Sequence, residues 1–394
     1  MKAVSDTFIV AYKRTPIGKF MGSLSTIPAV KLGEIALTAA AIETNITVTS
    51  VDEVIVGSML GGIGQAPARQ VALNSSLSIN TVCTTINKAC SSGMKSVTFG
   101  AQSIELGHNN VVIAGGIENM SLAPYYLENY RQGFNFGNTK IKDMLVSDGT
   151  YCKHSSLSMG NCSEKTIEKY SITRKEQDDF CAESYRRAEN AWNRGFYKPE
   201  VVVIEKNVKG KKVVVEEDEE YKSVNYDKIP SLKPVFDPNG TITPANASGL
   251  NDGAAMLVLM SKKAVEDYEA VPKARVLAYA DYETEPVHFG TASAGAIKLA
   301  LKRAGMTVDN VDLWEINENF SSIAIVNMKI LGIDHSKVNV NGGAVSLGHP
   351  FATSGARIIC TLISSLKEQK KSIGCASICN GGGGGTAIIL EVLN

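Results

Sequence analysis

The first residue that could carry chemistry is Cys90, in the small-residue segment 87–96. The β-rich run 81–87 predicts a strand before it. An amphipathic helix is predicted after it from apolar residues at helical spacing, Met94, Val97, Ala101 and Ile104. Cys90 is therefore expected at a strand-to-helix turn, where the helix dipole favours a thiolate. A nucleophile and a buried structural cysteine both fit this position.

His349 is the one histidine of five that lies between a glycine and a proline. Pro350 restricts the local backbone and so fixes where the imidazole points. An imidazole beside a thiol can take its proton, which makes His349 the candidate base for Cys90. A structural histidine in a loop is the alternative.

Two further segments carry candidate polar groups. Cys379 precedes five consecutive glycines, 381–385, which either turn backbone N–H groups toward a ligand or simply pack closely. No Gly-Lys-Ser/Thr ending follows, which excludes a phosphate-binding P-loop. Asn317 lies at the predicted end of an apolar strand, where α/β proteins bind ligands. Helix capping is the alternative role for Asn317 and Asn319.

Strands and helices alternate in both halves of the chain, which predicts an α/β fold. In the first half, a strand, the Cys90 loop and a helix lead to a buried strand at 110–116, which is expected to end in a tight glycine turn. In the second half, strand 337–341, the His349 loop, helix 355–366 and strand 375–379 repeat that plan. The repeat predicts an internal duplication with an active site between the copies.

An excursion from this core is predicted between about 120 and 248. Thr173 and Glu176 have capping-box spacing and begin a helix that is expected to reach Asn193. A hairpin is predicted around Lys209 and Gly210. The acidic run 216–220 is interpreted as a solvated loop without chemistry.

The composition is that of an ordinary globular protein. The 394 residues are 44% hydrophobic and 20% charged with zero formal net charge, which argues against binding to nucleic acid or to a membrane surface. The longest apolar run, 254–260, is too short to cross a membrane. Eight scattered cysteines without a Cys-x-x-Cys pair predict free thiols and no zinc site. Residues 1–6 are expected to carry neither a secretory signal nor a transit peptide.

Taken together, five segments resemble the thiolase family, in the family's order and over nearly the whole chain: 87–96, 246–255, 317–320, 348–350 and 379–384. The segments 159–162, 217–222, 341–350 and 376–380 are most similar to the short-chain acetoacetyl-CoA thiolases of the mitochondrial type. The resemblance implies a five-layered α-β-α-β-α fold from two duplicated halves plus an inserted loop domain. It places the N-terminal half at 1–122 with 249–272, the loop domain at 123–248 and the C-terminal half at 273–394.

The resemblance also implies an activity, that of an acetyl-CoA C-acetyltransferase, which makes or thiolytically cleaves acetoacetyl-CoA through an acyl-cysteine intermediate. Cys90 would attack the thioester, His349 would take its proton, and Cys379 would move the α-proton of the second acetyl-CoA. A water on Asn317 and the Nε2 of His349 would form one oxyanion hole, and the N–H groups of Cys90 and Gly381 the other. A Claisen condensation needs these parts: a nucleophile, a second base and donors for two oxyanions.

Ligand contacts follow from the same resemblance. Coenzyme A or acyl contacts are implied at Ser248, Lys228, Tyr185, Ala247, Met159 and Phe320. No cofactor is required besides coenzyme A as substrate, and a potassium site is implied at Tyr185, Pro244, Ala245, Ala247 and Val345. The family implies acetyl-CoA and acetoacetyl-CoA as partners, a homotetramer built as a dimer of dimers, and the mitochondrial matrix, with the cytoplasm as the alternative.

Several positions depart from the family's pattern near the expected pocket: Ser158, Ser223, Ser293, Ala294, Asn319, Phe351 and Ala352. Ser223 replaces a frequent arginine, so a nucleotide contact is expected to be missing. Asn319 replaces the alanine of the family's Asn-Glu-Ala-Phe motif. Ser158, Ser293 and Ala294 predict a roomier wall, which would admit 2-methylacetoacetyl-CoA.

Three rival functions are open at this point. A decarboxylating β-ketoacyl synthase shares the fold and a cysteine nucleophile but needs two histidines or a His-Lys set, and this chain has Asn317 and Cys379 instead. A thiolase-like lipid-carrier protein is expected to lack the Asn-Glu-x-Phe motif, which is present. A coenzyme A-binding protein without activity would tolerate loss of Cys90, His349 or Cys379, and all three are here.

Overall fold

The computed structural model describes residues 6–134 and 136–393. Within them, the α-helices α1 to α10 are, in chain order, Ala29–Ile42, Pro67–Asn74, Ser92–Glu105, Met159–Tyr170, Arg174–Asn193, Lys262–Asp267, Ala292–Ala304, Ser321–Leu331, Ala344–Leu347 and Phe351–Glu368. The strands β1 to β16 are Thr7–Arg14, Gly18–Lys19, Glu53–Gly57, Val82–Ile86, Val111–Asn119, Tyr125–Tyr126, Lys142–Asp143, Tyr151–Cys152, Leu157–Ser158, Ile204–Val208, Lys211–Val215, Asn251–Ser261, Ala274–Glu283, Leu313–Ile316, Ile373–Asn380 and Gly384–Val392. Residues 1–5, 135 and 394 lie outside the described residues. They belong to the predicted domains, and residues 1–5 are also part of the N-terminal segment considered for a targeting signal.

Nine strands follow one another in a single hydrogen-bonded path, β14-β15-β16-β13-β1-β12-β5-β3-β4, and β2 pairs with β12 at its side. The path has two halves, which join through a short antiparallel pairing of β1 with β13 at Phe8 and Ile9. In each half the first strand pairs antiparallel with the last strand. The last strand pairs antiparallel with the one before it, which in turn lies parallel to an earlier strand. The predicted internal duplication is therefore confirmed.

Five layers result from the way the two sheet halves face the helices. α3 and α10 pack against strands of both halves and form the central layer. α1 and α2 cover the outer face of the N-terminal half, and α7 covers that of the C-terminal half. In β12, Leu257 and Leu259 face the central core while Met256 and Val258 face the outer one, which explains the unbroken apolar run of this strand.

Glycines bring the two central helices into backbone contact near their N-termini. A Cβ at Gly93 of α3 would lie 2.4 Å from the carbonyl oxygen of Ala352 in α10. A Cβ at Gly355 of α10 would lie 2.6 Å from the amide nitrogen of Met94 in α3. Any larger residue would force the helices apart, so these glycines set the distance between the loops that precede the two helices.

Two predicted elements differ from the structure. β5 continues through Gly115 and Gly116 to its end at 119, because glycine there lets the backbone of Ala352 approach the strand and does not turn the chain. The predicted strand at 337–341 is a 3₁₀ turn, His335–Lys337, followed by a single bridge between Trp314 and Val338. One bridged residue is too little pairing to form a strand.

The acidic run is exposed to solvent only at Glu216, which corrects its interpretation as a solvated loop. Asp218 is fully buried and accepts two hydrogen bonds from Arg14, at 2.7 and 2.9 Å. Arg14 also donates to Glu200 at 2.7 Å, and Glu219 accepts the N–H of Lys19 at 2.8 Å. A fully buried guanidinium needs carboxylate partners, so these bonds anchor the excursion to the end of β1.

Other local signals in the excursion agree with the structure. Thr173 and Glu176 form the predicted capping box, and α5 ends at Asn193. β10 and β11 pair as the predicted hairpin. In the described ranges, no helix combines the length and apolar character that crossing a bilayer requires.

Candidate active site

Cys90 lies in the turn between β4 and α3. Ala89 before it has a φ of +46°, in the left-handed region that residues other than glycine seldom adopt. Polar side chains of the turn hold this conformation: Asn87 Oδ1 accepts the N–H of Ala89 at 2.9 Å, and Ser92 Oγ accepts the N–H of Lys88 at 2.8 Å. A strained turn with this support fixes the direction of the thiol.

Burial decides the protonation of Cys90. The residue is 6% exposed, and burial raises the pKa of its thiol to about 12, with the Glu118 carboxyl adding to the rise. A hydrogen bond from the main chain of Gly381 lowers this pKa only in part. The helix dipole expected to favour the thiolate is therefore outweighed by desolvation, so attack by Cys90 needs a base, as the assignment of His349 implies.

His349 is oriented as a neutral base. Its main-chain N–H donates to Asn251 Oδ1 at 2.8 Å, and its Nδ1 lies 2.7 Å from Ser354 Oγ. Ser354 Oγ donates its hydrogen to the carbonyl oxygen of Pro350 at 3.1 Å, so it accepts a hydrogen bond from Nδ1–H. This tautomer leaves Nε2 as an acceptor. Burial, together with the positive charge of Arg357, lowers the pKa of His349 to about 3. The ring is thus neutral at neutral pH.

Cys379 and Asn317 lie at the ends of the neighbouring parallel strands β15 and β14. Both side chains bond the same atom, because Asn319 Oδ1 accepts from Asn317 Nδ2 at 2.8 Å and from Cys379 Sγ at 3.4 Å. Burial raises the pKa of Cys379, and the neighbouring Cys90 adds to the rise. Asn317 thus lies at a strand end, as predicted. The neighbouring strand end places a second thiol, that of Cys379, close to Cys90.

A cavity of about 320 Å³ opens beside the thiol and the imidazole. Its lining is mostly apolar and consists of Cys90, Gly149, Thr150, Met159, Gly160, Phe236, Ala247, Ser248, Gly249, Leu250, Phe289, Asn319, Phe320, His349, Phe351 and Gly381. A cavity of this size and character, with a few converging polar groups, is typical of a small-molecule site.

Most residues predicted from the resemblance meet at this cavity. Those that line it are Cys90, His349, Gly381, Ser248, Ala247, Met159 and Phe320. Asn317 and Cys379 are not on its wall and reach it through Asn319. Tyr185 packs elsewhere, with Cys181 and Val345, and Lys228 lies in the 3₁₀ turn Tyr226–Ser231.

Ser158, Ser293 and Ala294, which were predicted to make the cavity wall roomier, do not line the cavity. Ser158 does not line the cavity and caps α4 by accepting the N–H of Asn161. Ser293 and Ala294 are buried in the first turn of α7, also away from the lining. The wall carries four aromatic rings instead, those of Phe236, Phe289, Phe320 and Phe351. Position along the chain indicated proximity to the site but not which side chains face it.

Three residues of the site were missed by sequence reasoning. Ser354 and Asn251 orient His349. The sequence could have indicated Ser354, because it lies one turn into the helix that follows His349. Glu118 is fully buried and accepts the N–H groups of Met59, Leu60 and Ala352 at 3.2–3.3 Å. Burial raises the pKa of Glu118 to about 7. Neither Glu118 nor Asn251 has a local signal, because their partners are distant in sequence.

Over the described ranges, no group of three or more His, Cys, Asp or Glu has an arrangement that could hold a metal ion. The implied potassium ligands are of another kind, a hydroxyl and main-chain oxygens. Tyr185, Ala245 and Val345 pack in one cluster, and burial raises the pKa of Tyr185, so its hydroxyl stays neutral.

The two halves seen in the structure match known family domains. Residues 7–263 match the description "Thiolase, N-terminal domain", and residues 270–392 match "Thiolase, C-terminal domain". The chain belongs to the thiolase family. A Dictyostelium discoideum protein named "Probable acetyl-CoA acetyltransferase" is 50% identical to this thiolase over 394 residues, which is 100% of this chain and 95% of the relative. The Bos taurus "Acetyl-CoA acetyltransferase, mitochondrial" is 48% identical over 393 residues, 99% of this chain and 92% of its own.

Solved structures agree with the fold of this thiolase. The Bacillus anthracis acetyl-CoA acetyltransferase has a TM-score of 0.97 at 36% identity, and the match covers 100% of both chains. The Acat5 thiolase from Ascaris suum, solved in complex with coenzyme A, has a TM-score of 0.94 at 42% identity and covers 98% of this chain and 100% of its own. The predicted thiolase fold is therefore confirmed.

Proposed function

We propose that this thiolase is an acetyl-CoA C-acetyltransferase, an acyltransferase that condenses two acetyl-CoA to acetoacetyl-CoA plus coenzyme A and catalyses the reverse thiolysis. One observation carries the proposal. A buried thiol, Cys90, and a neutral imidazole, His349, line one cavity, and a second thiol, Cys379, is linked to both through Asn319. Nucleophile, base and second base are the parts that this reaction requires.

The first half-reaction forms an acetyl-cysteine. Cys90 Sγ attacks the carbonyl carbon of acetyl-CoA while His349 Nε2 takes the thiol proton. The raised pKa of the thiol requires a base, and the lone pair on Nε2 allows His349 to act as that base. The oxyanion on this carbon is held by the N–H groups of Cys90 and Gly381. The carbon–sulfur bond to coenzyme A then breaks, and the departing sulfur takes the Cys379 proton. Each N–H donor to the oxyanion typically lowers the activation barrier by about 3 kcal/mol.

The second half-reaction forms the carbon–carbon bond. The Cys379 thiolate removes a proton from the α-carbon of a second acetyl-CoA, and the electron pair moves onto its thioester oxygen. The enolate carbon attacks the acetyl carbonyl on Cys90, and the bond to Cys90 Sγ breaks. The Cys90 sulfur recovers its proton from His349, so the enzyme returns to its starting state.

A non-catalytic coenzyme A-binding protein is the weaker alternative. Such a protein needs the cavity but not a base held in one tautomer. Here Ser354 and Asn251 spend two hydrogen bonds on orienting His349, and a left-handed turn at Ala89 aims Cys90. A β-ketoacyl synthase would need a second imidazole or an amine at the cavity, whose lining, as described, carries only that of His349.

Coenzyme A is proposed to enter past Ser248, which lies on the cavity wall with its hydroxyl bonded to the carbonyl oxygen of Asn319 at 2.8 Å. Ala247, Met159 and Phe320 would contact the pantetheine and acyl groups. Lys228, outside the cavity, would face the nucleotide. Ser223 donates to the carbonyl oxygen of Glu220, so it offers no replacement for the family's arginine.

Four finer properties are proposed on the resemblance. A potassium ion would be held at Tyr185, Pro244, Ala245, Ala247 and Val345, and would rigidify the loop that carries Ser248. The protein would assemble as a homotetramer, a dimer of dimers. The mitochondrial matrix is the proposed compartment, since relatives such as the bovine protein are named mitochondrial. 2-Methylacetoacetyl-CoA is proposed as a second substrate on the resemblance alone, because the residues expected to make the wall roomier do not line the cavity; its branch would lie against the phenylalanine wall.

The test is thiolysis of acetoacetyl-CoA by the purified protein, in potassium and in sodium buffers. We expect cleavage that depends on coenzyme A, is faster in potassium and disappears in Cys90→Ala. 2-Methylacetoacetyl-CoA in the same assay measures tolerance of the branch. Absence of cleavage by folded protein would contradict the function, whereas equal rates in both salts would contradict only the potassium site.

A further inference from the structure

We propose that Asn319 is a catalytic residue of this chain, whose side-chain N–H serves as an oxyanion donor in the place that the family pattern gives to a water. The inference rests on the proposed acetyl-transfer function. It concerns a position where this chain departs from the alanine of the family motif, and it is carried by the hydrogen bonds that the structure places around the amide.

The amide of Asn319 is the meeting point of the reactive groups. Its Nδ2 lies 3.1 Å from His349 Nε2, and its Oδ1 lies 2.8 Å from Asn317 Nδ2 and 3.4 Å from Cys379 Sγ. It also lies close enough to the sulfur of Cys90 to lower the pKa of that thiol. The residue is 8% exposed and lines the cavity. No other side chain of the described site contacts all three reactive residues, Cys90, His349 and Cys379, in these bonds.

The direction of the amide follows from its partners. Ser354 Oγ accepts a hydrogen bond from the Nδ1–H of His349, so Nε2 is an acceptor and must face the N–H side of Asn319. The opposite side then presents Oδ1 to the N–H of Asn317 and the S–H of Cys379. The main chain is fixed as well, because the Asn319 carbonyl oxygen accepts both the N–H and the hydroxyl of Ser248, at 3.0 and 2.8 Å.

Asn319 occupies the bonds that a water would need. In the pattern implied by resemblance, a water on Asn317 works with His349 Nε2 as one oxyanion hole. Here one N–H of the Asn317 amide and the Nε2 of His349 are both already bonded to Asn319. Asn317 does not line the cavity and its Oδ1 is buried with no hydrogen-bond partner among the described residues, whereas Asn319 lines the cavity. The side chain of Asn319 thus replaces the water and brings its own N–H to the cavity.

Proton transfer releases this N–H for the substrate. At rest it donates to His349 Nε2. Once Nε2 carries the Cys90 proton, two N–H groups face each other at 3.1 Å and no longer bond. Both can instead donate to one oxygen between them in the cavity, the thioester oxygen on which the enolate charge of the second acetyl-CoA develops. No covalent bond to Asn319 forms or breaks, and no ordered water is needed as an oxyanion donor.

The test separates the two half-reactions in Asn319→Asp and Asn319→Ala. Formation of acetyl-Cys90 from acetyl-CoA is followed by mass spectrometry, and enolate formation by exchange of deuterium from solvent into the acetyl methyl group. Asn319→Asp keeps the shape but replaces the donor by a carboxylate oxygen. We expect its exchange and condensation rates to fall about 100-fold or more, with acetylation within about threefold of the parent protein. Asn319→Ala is expected to lose about tenfold, because a water can enter the vacated space.

The matched control is Asn341→Ala, which removes a buried amide bonded to Ser365 and lies outside the cavity lining. It should leave both rates per folded molecule unchanged. Exchange within about threefold of the parent in both Asn319 variants would overturn the inference. So would equal losses of acetylation and exchange, since Asn319 would then only maintain the site's structure. Failure of the parent protein to form acetyl-Cys90 would instead overturn the proposed function.

Discussion

Cys90 and His349 each lie two residues before the first residue of a central helix, Ser92 in α3 and Phe351 in α10. The two helices are equivalent in the duplicated halves, because each precedes the strand that pairs antiparallel with the last strand of its half. Nucleophile and base are therefore the same position of one repeat. Close packing of the two helices turns this sequence equivalence into a shared site.

The contact between the helices should be sensitive to one added carbon. In Gly355→Ala, the new Cβ would lie 2.6 Å from the amide nitrogen of Met94, a backbone atom that cannot swing away. We expect a loss of about 1–3 kcal/mol in the free energy of unfolding and a lower kcat, as the loops carrying Cys90 and His349 move apart. Denaturant unfolding and thiolysis assays measure both effects. Gly61→Ala is the control, since its Cβ would make ordinary contacts of 3.6 Å; similar losses in both variants would contradict the prediction.

Alkylation of Cys90 should report its buried thiol. Because burial raises its pKa to about 12, the thiolate fraction in the free enzyme grows about tenfold for each pH unit up to that value. Iodoacetamide should therefore label Cys90 at a rate that keeps rising between about pH 7 and pH 10, as followed by peptide mass spectrometry. Urea-unfolded protein is the reference, in which the rate should level off near the ordinary thiol pKa of about 8.5. A plateau below pH 9 in folded protein would show a thiolate stabilised as the helix dipole predicts.

The orientation of His349 should depend on Ser354. Removing its hydroxyl in Ser354→Ala takes away the partner of Nδ1, so both tautomers become accessible and fewer molecules have Nε2 ready to accept the Cys90 proton. We expect kcat to fall about tenfold with little change in the KM for acetoacetyl-CoA. Ser364→Ala on the same helix removes hydrogen bonds to Tyr12 and Glu200 and should alter stability without altering kcat. An unchanged kcat in Ser354→Ala would show that packing alone orients the ring.

The buried carboxylate of the acidic run should be essential for stability. In Asp218→Asn, the guanidinium of Arg14 stays fully buried with one anionic partner fewer. A loss of about 3–5 kcal/mol in the free energy of unfolding is expected, since an uncompensated buried charge is costly. The exposed pair Lys175–Asp179 supplies the comparison, and Asp179→Asn should leave the unfolding midpoint unchanged. Equal midpoints for both variants would mean that the acidic run is solvated after all.

Sequence patterns predicted the elements that depend on neighbouring residues. The capping box at Thr173, the apolar strands of both halves and the repeat that flanks Cys90 and His349 all arise within short segments. The family motifs then identified which residues converge, and the cavity contains most of them. These features could be predicted because they are determined by interactions between residues close together in the sequence.

The errors concern burial, which depends on residues far away in the chain. Asp218 looked solvated because its partner Arg14 lies 204 residues earlier. The raised pKa of Cys90 was not foreseen because the helix dipole is a local property, whereas desolvation comes from elements of both halves. The sequence indicated Asn319 as a helix cap and as a departure from the family's motif, and its contacts with His349 and Cys379 appear only once the strands are placed side by side.

Acetylation of Cys90 tests the central claim most directly. The purified protein is incubated with acetyl-CoA, quenched in acid and digested, and the peptide that contains Cys90 is examined by mass spectrometry. The account predicts one acetyl group on Cys90, its removal on addition of coenzyme A, and its absence in His349→Ala, which lacks the base and whose folding is checked by circular dichroism. An unmodified Cys90 in folded, coenzyme A-binding protein, or acetyl transfer to another residue, would contradict it.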